Sequence, residues 1–246
     1  RRIVMGVALI TGGGRGIGAA ISLKLARDGY DVMLTYNTSS KSAELIVEEI
    51  RAMGRDAVAL NCDCEDSREI ALMGTHPWFQ HGLDVLVLNH GRYDRVLAEK
   101  LSINQLRKTM NVNFEGSFLV WETIREYLHN DARIIVIGSQ LGTRGSPHGA
   151  DYAASKAALE IWSKSLAMRV GQTGQRVNIV APGFVDTDIL AGDSAEKRKL
   201  RESMVPLGRI GTPADIAHTV SFLANENSSY VTGAVIHVNG GLYLPR

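Results

Sequence analysis

Short apolar runs alternate along the chain with longer segments in which apolar residues recur at helical spacing. The apolar runs predict buried β-strands at 7–10, 31–36, 57–60, 85–88, 133–137, 176–181 and 235–238. The amphipathic segments predict α-helices at 19–26, 42–53, 67–72, 102–127, 152–170 and 215–224. Because strands and helices alternate throughout, the pattern predicts a Rossmann-type α/β fold, a doubly wound parallel sheet with helices on both faces.

A single domain is expected to span residues 1–246, because the pattern contains neither a linker nor an internal repeat. A polar, charged and glycine-containing stretch at about 184–206 interrupts the alternation. It predicts a substrate flap that orders over a ligand and excludes water, or else a surface excursion with a short helix.

Composition excludes several classes of partner. The chain is 45% hydrophobic and 22% charged with a net charge of +1, which gives no long-range field for nucleic acid or an anionic membrane. It has neither an apolar run of about 18 residues nor a signal-peptide pattern, so the cytoplasm is the expected compartment. The expected partners are small molecules or locally recognised proteins.

No metal site is predicted. The two cysteines, Cys62 and Cys64, are separated by one residue, a spacing that suits neither a stable disulfide nor a zinc site without further ligands. The seven histidines are scattered without metal-ligand spacing. The cysteines are therefore expected to be buried, reduced thiols.

A glycine-rich turn joins the first strand to the first helix. Glycines allow a tight turn and a close approach to a pyrophosphate, whose charge the open N–H groups of a helix N-terminus can meet. The strand before the turn and the helix after it favour a dinucleotide site over a merely flexible turn. The candidate cofactor contacts here are Gly12, Gly14, Arg15, Gly16, Ile17 and Gly18.

The end of the second strand indicates which dinucleotide is bound. An NAD site usually has an acidic residue there for the ribose 2′-hydroxyl, whereas this strand continues into Asn37 and Thr38 with no carboxylate. Arg15 is free to pair with a 2′-phosphate, with Asn37 and Thr38 as further donors. The sequence therefore predicts NADP(H), unless Arg15 is simply a solvated loop residue.

Other candidates lie at the ends of later strands. Asp63, with Cys64 beside it, is placed to touch the adenine edge, although Asp63 equally suits a cap for the following helix. Asn89, His90 and Gly91 follow the fourth strand, where the backbone can approach the cofactor. Ser139 follows the fifth strand, either on the same side as the glycine turn or as a simple helix cap. Asn113 interrupts a helical pattern, which suggests a local bend or a bound water.

Tyr152 and Lys156 are one turn apart on a predicted helix, so they share a face. A tyrosine has a pKa of about 10, and a neighbouring cation favours its phenolate, which suits acid–base chemistry near neutral pH. The alternative is an interfacial tyrosine and a solvated lysine that share a helix face by chance.

Taken in order, these motifs resemble the short-chain dehydrogenase/reductase family over essentially the full chain. The motifs are the glycine turn 11–18, Ser139, Tyr152-x-x-x-Lys156, and Pro182-Gly183. Within the family, the segments 178–188, 205–209 and 231–241 are most similar to the 3-oxoacyl-[acyl-carrier-protein] reductases.

The resemblance implies roles for several residues. Tyr152 would be the acid–base residue, Lys156 would lower its pKa and hold the nicotinamide ribose, and Ser139 would orient the substrate carbonyl. Asn113 would support a proton-relay water. Cofactor contacts near the nicotinamide would come from Pro182, Gly183, Val185 and Thr187.

The implied function is NADPH-dependent reduction of a 3-oxoacyl thioester, on acyl carrier protein or coenzyme A, in fatty-acid or polyketide-type biosynthesis. A short-chain dehydrogenase acting on a free alcohol or ketone is the alternative, and a non-catalytic dinucleotide-binding protein is a third. The family also implies a homotetramer formed through the helices at 102–127 and 152–170.

Two departures from the family pattern stand out. His90 replaces a small residue and is expected to alter packing or affinity on the adenosine side. Asn130 and Thr173 stand where carrier-dependent members have basic residues, and Arg125, Arg169 and Arg176 are not obviously equivalent. The second departure leaves room for a specialised ketoreductase.

Overall fold

The computed structural model describes residues 5–245, so the outer limits of the predicted 1–246 domain lie outside the described residues. Seven parallel strands form one sheet in the order β3-β2-β1-β4-β5-β6-β7. The strands are β1 (Gly6–Ile10), β2 (Tyr30–Tyr36), β3 (Ala57–Asn61), β4 (Leu83–Leu88), β5 (Leu128–Ile137), β6 (Arg176–Pro182) and β7 (Val235–Val238). The α-helices are α1 (Gly16–Arg27), α2 (Ser40–Ala52), α3 (Ser67–Met73), α4 (Ile103–Met110), α5 (Gly116–Ile124), α6 (Gln140–Arg144), α7 (Ala150–Val170), α8 (Ala195–Met204) and α9 (Pro213–Ala224).

Each face of the sheet carries its own apolar core. Side chains alternate between the faces, so Ala8 and Ile10 enter one core and Leu9 enters the other. Strands covered on both faces need near-continuous apolar sequence, which is the pattern that predicted them. The doubly wound α/β prediction is confirmed.

The strand order reverses at β1, which pairs with β2 on one side and β4 on the other. Where the connections after two neighbouring strands run in opposite directions, a crevice opens outside the carboxyl ends of those strands. The glycine turn after β1 and the segment after β4 border this crevice, and the end of β5 lies next to it.

The helix predicted at 102–127 is composite. A π-helical turn at 111–115 connects α4 to α5, and a 3₁₀ turn at 125–127 ends the segment. The expected bend at Asn113 is confirmed as this π turn, whose wider spacing inserts an extra residue into the helix.

The structure differs from the sequence pattern in three places. β5 begins at Leu128 rather than at 133, because a register shift against β4 accommodates polar residues that hide the strand from an apolar pattern. The short helix α6 follows Ser139, as the helix-cap alternative allowed, although no apolar pattern marked it. The stretch at 184–206 contains a 3₁₀ turn at 188–190 and then α8, the short helix allowed for above.

Within residues 5–245, no helix is both long enough and apolar enough to cross a bilayer. No group of three or more potential metal ligands occurs in the same part of the chain.

Candidate active site

A cleft of about 680 Å³ opens along the carboxyl ends of the strands. It brings together every residue singled out above as a cofactor contact, from Gly12 after β1 to Thr187 after β6, together with Ser139, Tyr152 and Lys156. Asn113 is the exception, because it lies behind the cleft wall and is fully buried.

The glycine turn leaves no room for side chains. Gly12 and Gly16 adopt positive φ values of 62° and 53°. A Cβ on Gly18 would lie 2.1 Å from the carbonyl oxygen of Gly12, and a Cβ on Gly14 would lie 2.9 Å from the Cβ of Ala43. The backbone itself therefore faces the cleft.

The N-terminus of α1 also faces this turn. Arg15 occupies the N-cap position, and its side chain makes no capping hydrogen bond. Helix N-termini carry unsatisfied N–H groups and partial positive charge, so this end of the cleft suits an anion such as a pyrophosphate.

Arg15 has a partner in this structure. Its Nη1 lies 3.0 Å from Oδ2 of Asp188, and both side chains are largely exposed. The pair joins the glycine turn to the flap across the cleft. Asn37 and Thr38 line the cleft beyond the end of β2, where no carboxylate is present.

The alternatives at Asp63 are now separated. Asp66, not Asp63, caps α3 by accepting a hydrogen bond from the backbone N–H of Arg68. Asp63 lines the cleft beside the two cysteines, which are buried and free as predicted. A hydrogen bond with Cys62, together with burial, raises the pKa of the Cys64 thiol.

Ser139 and Tyr152 meet at the bottom of the cleft. Ser139 follows β5 and caps α6, accepting a hydrogen bond from Leu141 N at 3.1 Å, so the cap and the cleft position occur together. Burial raises the pKa of Tyr152 to about 12, while a hydrogen bond with Ser139 acts in the opposite direction. The phenol therefore keeps its proton at neutral pH.

Lys156 is also deeply buried. Its Nζ donates a hydrogen bond to the carbonyl of Ile137 at 2.7 Å and lies 5.7 Å from the centre of the Tyr152 ring. Burial lowers the pKa of Lys156 to about 8. The role expected for Lys156, lowering the pKa of Tyr152, stays a prediction, and in this structure burial of the phenol is the larger effect.

Asn113 uses its side chain to join two elements. Its Oδ1 accepts a hydrogen bond from Arg92 N at 2.7 Å, and its Nδ2 donates to Arg92 O and to Ser155 Oγ. The side chain thus holds the segment after β4 against α7, the helix that contains Tyr152 and Lys156. Any water held by Asn113 would have to use its backbone carbonyl, which already accepts a hydrogen bond from Ser117.

His90 turns toward the π turn. Its Nε2 lies 3.1 Å from the carbonyl oxygen of Val112, and its Nδ1 lies 2.8 Å from Thr11 Oγ1. Burial, and then the charge of Lys156, lower the pKa of His90 to about 4. The ring is neutral at pH 7 and connects β1 to the π turn as well as lining the cleft.

The mouth of the cleft contains residues that sequence reasoning missed. The Tyr93 ring lies 4.6 Å from the Tyr152 ring, and the Arg201 guanidinium lies 4.6 Å from the Phe184 ring. Arg95 lines the same region. The position of Tyr93 two residues after Gly91 was an available signal, whereas nothing local marks Arg201.

Comparisons with known proteins agree with this geometry. A family profile described as enoyl-(acyl carrier protein) reductase matches residues 12–243. A 3-oxoacyl-[acyl-carrier-protein] reductase of Staphylococcus aureus is 38% identical over 240 residues, covering 96% of this chain and 98% of that protein.

Two solved structures are similar over nearly the whole chain. A short-chain dehydrogenase from Burkholderia cenocepacia in complex with NADP has 35% identity and a TM-score of 0.91, covering 98% of this chain and 99% of that one. A blue fluorescent protein from a metagenomic library, in complex with NADPH, has 35% identity and a TM-score of 0.92, covering 99% of this chain and 100% of that one.

Proposed function

The chain belongs to the short-chain dehydrogenase/reductase family, and we propose that it is an NADPH-dependent ketoreductase that converts a 3-oxoacyl thioester into the 3-hydroxyacyl thioester. The observation that carries the proposal is the meeting of Ser139, Tyr152 and Lys156 in the cleft that also contains the glycine turn. Similarity to a 3-oxoacyl-[acyl-carrier-protein] reductase over 96% of the chain supports the choice of substrate class.

NADP(H) fits the cofactor half of the cleft. The side-chain-free glycine turn and the open N-terminus of α1 suit the pyrophosphate. Asn37 and Thr38 carry no carboxylate that would repel a 2′-phosphate. Arg15 can bind that phosphate if it releases its present partner, Asp188. The NADP and NADPH complexes of the two similar structures support the same assignment.

Tyr152 acts as the general acid. NADPH, when bound, supplies a hydride to the ketone carbon. Tyr152 Oη gives its proton to the carbonyl oxygen as negative charge develops there, and Ser139 donates a hydrogen bond to the same oxygen. Burial favours this direction, because a phenol with a pKa of about 12 arrives protonated yet is far more acidic than the alcohol that its proton transfer produces.

Lys156 and Asn113 prepare the site. The cation of Lys156 stabilises the phenolate left after proton transfer, and its hydrogen bond to Ile137 fixes its position. Asn113 holds α7 through Ser155, three residues from Tyr152, so its contribution is to place the helix. The flap at 184–206 closes the substrate side, with Arg15 and Asp188 as one contact across the cleft.

A free ketone or alcohol is the second candidate substrate. The positions expected to hold an acidic carrier protein carry Asn130 and Thr173, both exposed and uncharged. Arg176 is unavailable for that purpose, because it is buried and donates hydrogen bonds to Ser228 and to the end of α9. These observations favour a small substrate over a docked carrier.

NADPH oxidation separates the candidates. The substrates are a 3-oxoacyl thioester, a free ketone and, because of the family description, a 2-enoyl thioester. We expect turnover of the ketothioester, a loss of about 10²- to 10⁴-fold in Tyr152→Phe, and near-normal rates in the control Tyr93→Phe. Turnover of the free ketone alone would favour the second candidate, and no turnover despite cofactor binding would favour a non-catalytic role.

Assembly into a homotetramer is part of the proposal. Ile161 and Met168 lie seven residues apart on one face of α7 and are 61% and 83% exposed. Burying such side chains against a second copy would be favourable. Sedimentation of the wild type and of Met168→Lys tests this, because a monomeric wild type would contradict it.

A further inference from the structure

One buried carboxylate organises three cations beside the substrate half of the cleft. The Asp193 side chain is 1% exposed and forms ion pairs with Arg95, Lys197 and Arg201 at 3.2, 2.8 and 2.5 Å. Within this cluster, three positive charges surround a single negative one. Because the carboxylate is enclosed, its position and those of its partners are well fixed.

Arg201 and Arg95 are the two members of this cluster that line the cleft. Arg201 contacts Asp193 through Nε, its guanidinium lies over the Phe184 ring, and its side chain is 15% exposed at the cleft wall. Among residues 5–245, no atom accepts a hydrogen bond from either Nη group of Arg201. The guanidinium is therefore held from one edge and one face while its other edge remains open.

The other arginines of the mouth are already occupied. Arg95 donates one Nη to Asp193 and the other to the carbonyl of Ile189. Arg92 is paired with Asp94, which also accepts a hydrogen bond from Gln105. Arg201 thus differs from its neighbours in having free, pre-oriented donors.

We propose that Arg201 forms an anion subsite that binds a carboxylate or phosphate carried by the ketone substrate. A planar guanidinium with two open Nη groups matches the oxygens of such a group. Fixing the arginine beforehand reduces the entropy lost on binding. This inference rests on the proposed reduction of a ketone in this cleft and specifies which substrates it favours.

The anion has two chemical sources. It is either a carboxylate at the far end of the acyl chain or a phosphate of the thioester carrier. Each source has a charged compound and an uncharged counterpart: a 3-oxoacyl N-acetylcysteamine thioester ending in a carboxylate against its methyl ester, and 3-oxobutanoyl-coenzyme A against 3-oxobutanoyl-N-acetylcysteamine.

Binding is measured by calorimetry with the enzyme saturated in NADP⁺, which cannot reduce the ketone. The variants are Arg201→Gln and a control, Lys199→Gln, which removes the same charge from an exposed position on the same helix. The readout is the ratio of affinities for the charged and uncharged compound within each variant. A loosened flap would weaken the binding of both compounds and leave the ratio of their affinities unchanged.

We expect the charged compound of one pair to lose about 10- to 100-fold in affinity in Arg201→Gln, with its uncharged counterpart and the Lys199→Gln control nearly unchanged. The affected pair identifies the source of the anion. Unchanged affinity ratios in both pairs would overturn the proposal. A wild-type enzyme that binds none of the four compounds would overturn it as well.

Turnover of the uncharged thioesters with NADPH separates this inference from the proposed function. Wild-type enzyme that shows Arg201-dependent anion binding but reduces no thioester would retain the subsite and refute the ketothioester activity. Reduction of uncharged thioesters with no dependence of binding on Arg201 would give the opposite result.

Discussion

Replacing Lys156 by methionine should make the protein more stable at neutral pH while it removes activity. The ammonium group is 4% exposed, and burial holds its pKa at about 8, below the ordinary value of 10.5. Methionine has a similar length and needs no solvation. The substitution therefore removes a buried charge that the site requires but the fold does not.

The magnitude follows from the two pKa values. The difference between about 8 and 10.5 corresponds to about 3 kcal/mol of unfolding free energy at pH 7, at about 1.4 kcal/mol for each pH unit. The variant leaves the Ile137 carbonyl without the hydrogen bond from Nζ, which costs about 1 to 2 kcal/mol. The net gain at pH 7 is about 1 to 2 kcal/mol.

The sign of the pH dependence is fixed by proton binding. Between the folded pKa of about 8 and the unfolded value of 10.5, the unfolded wild type binds more protons, so its stability rises with pH. Tyr152, whose raised pKa acts above pH 10, is present in both proteins and its contribution cancels. The advantage of Lys156→Met should shrink by about 2.5 kcal/mol between pH 7 and pH 10 and reverse sign.

Urea unfolding of the cofactor-free protein, followed by circular dichroism at several pH values from 7 to 10, measures this difference. Lys199→Met, which removes an exposed lysine, should show no comparable trend. A stability difference between Lys156→Met and wild type that stays constant, or that grows with pH, would refute the reasoning. The buried ammonium would then impose no penalty on folding.

Three further substitutions test the packing around the site. Gly18→Ala places a Cβ against the Gly12 carbonyl and should abolish cofactor binding measured by NADPH fluorescence, whereas Gly171→Ala, with open space around it, should not. Arg176→Met removes hydrogen bonds to buried oxygens near the end of α9 and should cost about 3 kcal/mol in urea unfolding. Thr212→Ala removes the capping box of α9 and should cost about 1 kcal/mol in the same assay.

The sequence was sufficient for the strands of the sheet because the central strands are buried on both faces. β4 is apolar except for Asp84 and was predicted to within two residues. β5 was found only from 133 onward, because its first residues are polar and pair through a shifted register. Such a shift depends on the neighbouring strand, and local periodicity carries no information about it.

Only part of the candidate site could likewise be predicted from the sequence. Tyr152 and Lys156 share one helix, so their spacing alone places them together. Arg201 reaches Phe184 only because the segment 184–206 folds so that both residues line the cleft, and their separation along the chain gives no sign of the contact. The balance between burial and charge at Tyr152 was also beyond the sequence, since it depends on how completely the helix is covered.

His90 departs from the family pattern, and its hydrogen bonds in the structure show what the histidine does there. The Val112 carbonyl only accepts hydrogen bonds, so Nε2 of His90 carries the proton and Nδ1 is left as an acceptor facing Thr11 Oγ1. This arrangement requires a neutral ring, which the lowered pKa of His90 provides. The histidine thereby ties β1 to the π turn that contains Asn113. Its replacement of a small residue therefore acts on the placement of Asn113 as well as on the cofactor side of the cleft.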